Sequence, residues 1–74
     1  MLVQFEIYFD GDYWCARAVG YDIFTQGKTL DDLAKNIKEA VELHFEDEIT
    51  SGSHINIVSV WAMEVPKVAG AASS

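Results

Sequence analysis

Apolar and polar positions alternate from Leu2 to Phe9. Val3, Phe5, Ile7 and Phe9 fall on one face; Leu2, Gln4, Glu6 and Tyr8 fall on the other. A period of two predicts a half-buried strand. Asp10-Gly11-Asp12 follows, and Asp-Gly favours a hairpin turn because both residues tolerate positive φ. A second strand is expected over 13–19, with Trp14, Ala16 and Ala18 on one face and Tyr13, Cys15 and Arg17 on the other. After a turn at Gly20-Tyr21-Asp22, a short third strand is expected over 23–26, ended by Gly27.

The period then changes. Leu30, Leu33, Ala34, Ile37, Ala40, Val41, His44 and Phe45 recur at three- to four-residue spacing, the stripe of an amphipathic helix. Thr29 is its expected N-cap, with Asp32 three residues on, and Asp31 and Asp32 suit the positive end of the helix dipole. Asp31, Asp32, Lys35, Lys38, Glu39, Glu42 and Glu46 occupy the opposite face. Leu43 breaks the pattern by falling among those charges. Ser51-Gly52-Ser53 is a turn, and 54–63 predicts a last strand, with Ile55, Ile57, Ser59 and Trp61 on one side and Val58, Val60 and Ala62 on the other. Both sides are apolar, so this strand is expected to be central or covered by another subunit. Pro66 stops it.

The order β-β-β-α-β predicts an α+β fold. Two tight turns make an antiparallel meander, and a right-handed crossover brings the last strand parallel beside the first. The expected strand order is β3-β2-β1-β4, with one helix on one face. The bare face would hold Tyr8, Tyr13, Cys15, Arg17, Val58 and Val60, a surface suited to a partner or a second copy. Residues 1–65 form the expected domain, and 66–74 a disordered tail.

Length sharpens this picture. The chain has 74 residues and one cysteine, Cys15. Chains below about 70–80 residues generally need a disulfide, a metal or a partner subunit, and one cysteine makes no intrachain bridge. Self-association into a dimer or tetramer is therefore expected. A lone cysteine, no basic-then-apolar leader and no apolar run of about 18 residues suggest a cytoplasmic protein.

Charge excludes more. Twelve acids face five Lys plus Arg, a net charge of −7. Direct nucleic-acid binding needs clustered cations, whereas Arg17, Lys28, Lys35, Lys38 and Lys67 are scattered. Residues 29–48 alone hold seven acids and two lysines, a local −5. Such a face serves solubility, or it docks a basic partner. Glu46, Asp47 and Glu48 are expected at the helix C-terminus, where each costs a few tenths of a kcal/mol.

Catalysis finds no support. A two-metal nuclease needs carboxylates converging on cations about 4 Å apart; Glu6, Glu39 and Glu42 lack a partner on the last strand. Nothing around Cys15 would activate a thiol toward His44 or His54, and zinc would need further ligands at close spacing. His44 is expected to be partly buried at the rim of the stripe. The expectation is a non-enzyme without cofactor or metal.

Thr25-Gln26-Gly27-Lys28-Thr29-Leu30-Asp31-Asp32-Leu33, followed by Asn36-Ile37-Lys38-Glu39-Ala40-Val41-Glu42-Leu43, resembles the HicB antitoxins and their short HicB-like relatives. Asp10-Gly11-Asp12-Tyr13 at the hairpin matches as well, so the resemblance covers about residues 2–62. The family's stretch ending Leu-Pro-Gly-Cys is replaced here by Val19-Gly20-Tyr21-Asp22-Ile23-Phe24. The resemblance implies a reduced RNase H-like fold without nuclease residues. It also implies a partner: HicA, a small basic toxin that cleaves mRNA and is neutralised by occlusion. Full-length HicB proteins add a DNA-binding segment that eight residues after Pro66 are not expected to encode. The expected partner face is Glu39, Glu42, Leu43 and Glu46 on the helix, with Tyr13 and Phe24 near the hairpin ends.

Overall fold

A computed structural model describes residues 1–63 together with Val65 and Pro66. The alternating segment forms β1 (Leu2–Phe9). Asp10 turns the chain: its Oδ1 accepts from the amides of Asp12 (2.9 Å) and Tyr13 (2.7 Å), while Gly11 takes φ 106°. The chain returns antiparallel as β2 (Trp14–Ala18), and β3 (Phe24–Gly27) pairs antiparallel with β2. Helix α1 (Leu30–His44), a short α2 (Glu46–Thr50) and β4 (Asn56–Trp61) complete the order. β4 runs parallel to β1, and the sheet order is β3-β2-β1-β4. The α+β class and the sheet order follow the expectation from the sequence.

Val3, Phe5, Ile7, Ala16 and Ala18 face α1 and bury against Leu33, Ile37, Val41 and Phe45. Ala16 and Ala18 leave room for the helix, which lies over β3 and β2. Thr29 caps α1 as expected, its Oγ1 accepting from the Asp32 amide at 3.0 Å. Gly27 allows the close approach. A Cβ there would lie 2.7 Å from the Leu33 backbone nitrogen.

β4 is an edge strand, as the expected order implies, with only Ile57 half-buried, so of the two alternatives for the last strand the central one is excluded. Three expectations need correction. Ile23 precedes β3 rather than opening it: the 19–23 loop folds back, the Ala18 amide bonds the Ile23 carbonyl at 3.0 Å, and Ile23 joins the core. The helical stripe is narrower than its periodicity implied: Leu30, Ala34 and His44 are exposed, while Leu33, Ile37, Val41 and Phe45 are buried. The helix also stops at His44 instead of running on. Phe45 leaves helical geometry at φ −111°, ψ 31°, and buries against Tyr21, their rings 5.0 Å apart and nearly perpendicular. A second helix begins there. Apart from Pro66, the expected tail over 66–74 lies outside the described residues.

Among the described residues nothing covers the sheet face away from α1. The cross-strand register sets Phe24, Arg17, Glu6 and Val60 in one row and Gln26, Cys15 and Tyr8 in another. Arg17 and Glu6 form an exposed ion pair at 3.3 Å. Cys15 is buried even on this bare face, flanked by Tyr8 and Gln26. Burial pushes its thiol pKa up, and the neighbouring Asp10 charge adds to this.

Candidate partner-binding site

The bend at Phe45 builds the site. Phe45 sits in the core because it continues the Leu33-Ile37-Val41 row at four-residue steps. Its amide closes the last turn of α1 on the Val41 carbonyl at 2.9 Å. Its carbonyl then accepts from Ile49 at 3.0 Å and starts α2 in a new direction. Across the junction of α1 and α2 lies an open concavity of about 700 Å³, lined by Glu39, Glu42, Leu43, Glu46, Ile49 and Thr50.

Four of the six residues expected from the sequence therefore lie together. Leu43 is 76% exposed and Ile49 41% exposed, two apolar anchors on the concave surface. Three carboxylates surround them. Among the described residues the ion pair within 4 Å is Arg17–Glu6, so Glu39, Glu42 and Glu46 hold no cation. An apolar centre with a charged rim is the general layout of a protein-binding patch.

Tyr13 and Phe24 lie elsewhere. Tyr13 is beside the N-terminal end of α1, with the Lys28 Nζ 6.0 Å from its ring centre. Phe24 is 55% exposed on the sheet face opposite the helix, in the row of Arg17 and Glu6. The sequence missed Ile49 and Thr50. Both continue the Glu39-Glu42-Leu43-Glu46 face at three- and four-residue steps, so the helical spacing could have found them.

The electrostatic expectation also changes. Glu46, Asp47 and Glu48 occupy the first turn of α2, where the positive end of a helix dipole favours them. The cost expected for three acids at a helix C-terminus does not arise. His44 is exposed rather than partly buried, its ring stacked edge-on against Tyr21 and Phe45. Among the described residues no three His, Cys, Asp or Glu side chains come together as a metal-binding set. No helix among them is long and apolar enough to cross a membrane.

Two curated relatives align with the chain. A UPF0150 protein of Archaeoglobus fulgidus is 50% identical over 36 residues, 49% of this chain and 54% of the relative. A UPF0150 protein of Thermotoga maritima is 39% identical over 49 residues, 66% of this chain and 69% of the relative. The chain belongs to the UPF0150 family. It spans about half the length of the archaeal relative. No family model matches it, and no solved structure does. In this UPF0150 chain the concavity is thus a site defined by geometry alone: an open acidic surface, unpaired among the described residues, with two apolar side chains at its centre.

Proposed function

We propose that this UPF0150 chain is a HicB-like antitoxin domain that neutralises a small basic mRNA-cleaving toxin of the HicA kind. The observation that carries the reading is the pair Leu43 and Ile49, exposed between Glu39, Glu42 and Glu46. A basic surface built to meet RNA phosphates would find three carboxylates there, and the apolar pair would add contact area that RNA does not supply. Occupation by the antitoxin and by RNA is then mutually exclusive. The Thr25–Leu33 and Asn36–Leu43 motifs and the UPF0150 relatives support the HicB-like assignment.

The test is a translation assay with a small basic protein encoded beside this one. Translation should recover as the domain is titrated in, with a defined complex in a pull-down. Undiminished toxin activity at excess domain overturns the proposal. The alternative is a stand-alone homo-oligomeric domain with no toxin partner, which the apolar edge strand β4 favours. An inert neighbour together with a stable oligomer would select it.

A further inference from the structure

We infer that two copies of this chain join through β4, strand to strand about a two-fold axis at Ser59, into one eight-stranded sheet. The inference deepens the self-association just named, and it stands whether or not a toxin binds the acidic concavity.

An edge strand exposes a row of unpaired N–H and C=O groups, and proteins usually blunt it with charge, proline, a bulge or brevity. β4 has none of these. It is six residues long, and residues 55–63 carry no charged side chain and no proline. Val58, Val60 and Trp61 are each exposed, so apolar groups stand bare on both faces of this strand. The opposite edge differs. β3 is four residues long, and its Gln26 carbonyl is already occupied by the Asn36 side chain at 2.7 Å.

The backbone fixes the register. The Asn56 amide bonds the Met1 carbonyl at 2.8 Å, and the Ala62 amide bonds the Ile7 carbonyl at 3.1 Å. Even-numbered residues of β4 thus point their backbone groups at β1. By the alternation of a strand, Ile57, Ser59 and Trp61 point theirs outward. An antiparallel pair related by a two-fold at Ser59 sets Ser59 opposite Ser59 and Ile57 opposite Trp61 of the second copy. All three outward residues of each copy then exchange hydrogen bonds. Val58 meets Val60 on the other face. Centring the axis on Val58 instead would leave Trp61 unpaired.

Charge and shape agree with a second copy as the occupant. On a chain of −7, β4 is a surface where two copies meet without bringing like charges together. Helix α1 lies over β3 and β2, so two copies paired at β4 keep their helices apart. Between α1 and β4 each copy has a groove of about 310 Å³ that includes Leu30, Ala34, Ile57 and Trp61. Pairing makes these two grooves adjacent.

Sedimentation equilibrium of the full chain tests this. The wild type should weigh twice its chain mass. Ser59→Pro removes an outward N–H and none of the bonds to β1, a position where an edge strand tolerates proline. It should raise the dimer dissociation constant at least about tenfold with unchanged circular dichroism. Ser59→Lys covers the case in which the proline variant fails to fold. It sets like charges face to face at the axis, so its dimer should weaken and recover partly with added salt. A wild type that is monomeric up to about 1 mM overturns self-association itself. A dimer that both folded variants leave unchanged overturns this interface alone.

Discussion

The Asn36 side-chain amide donates to the main-chain carbonyl of Gln26 at 2.7 Å, tying the second turn of α1 to the edge strand β3. The bond satisfies a sheet-edge carbonyl and fixes how the helix lies on the strand. A neutral hydrogen bond of this kind contributes roughly 1 kcal/mol net. Asn36→Ala should lower urea stability by about that amount. Asn36→Asp should lose at least as much, because a carboxylate offers no donor to Gln26. Equal urea midpoints for the wild type and both variants would show that the bond adds nothing.

Gly27 acts at the same junction by absence. A Cβ at this position would meet the Leu33 nitrogen at 2.7 Å and the Asp32 carbonyl carbon at 3.0 Å, both backbone atoms. Neither can rotate away, so Gly27→Ala must push the start of α1 off β3. Overpacking of this sort costs typically about 1–3 kcal/mol. The urea midpoint should fall with an unchanged slope. A midpoint within error of the wild type would mean that the helix start yields freely.

These two residues also show why the fold was legible. Alternation in β1, the Asp-Gly turn and the Thr29 cap are local signals, and each dictates a local structure that the tertiary fold keeps. The break at Phe45 is not local. No Gly or Pro marks it; it arises because Phe45 buries beneath Tyr21, twenty-four residues earlier. The site was legible to the same extent. Leu43 stood out against its polar neighbours; Ile49 and Thr50 continue the same face at helical spacing, but the expected face stopped at Glu46. The burial of Cys15 on a bare face was hidden, since cross-strand neighbours rather than a covering layer enclose it.

Charge reversal separates docking from solvation at the concavity. Among the described residues Glu42 and Glu46 hold no cation, so Glu42→Lys should change stability by less than about 0.5 kcal/mol, whereas Glu46→Lys also gives up a favourable place in the first turn of α2 and should cost about 0.3–1 kcal/mol. Binding to a basic partner should weaken with each reversal, and the loss should be greater at low salt, where screening is weakest. Leu43→Ala should weaken binding with little salt dependence, because it removes contact area rather than charge. Calorimetric titration at two salt concentrations reads all three. Equal affinities at low salt would identify the acidic face as merely solvated.

Acid should loosen the hairpin first through Asp10. Its carboxyl pKa is held below the ordinary 3.8, chiefly by the Tyr13 amide, then by that of Asp12. The folded state therefore favours the ionised form. Stability from this carboxylate is fully present above the ordinary value, and it is lost as pH falls through the lower folded value. Asp10→Asn keeps an oxygen acceptor for both amides and removes the titration. At neutral pH the wild type should be the more stable of the two, because a charged acceptor bonds more strongly. As pH falls below about 4 the gap should close, since the wild type loses a contribution that the variant never had. Urea midpoints of both proteins, followed from neutral pH into that acid range, measure the gap directly. A gap that stays constant across the range would remove Asp10 as the source of the acid sensitivity.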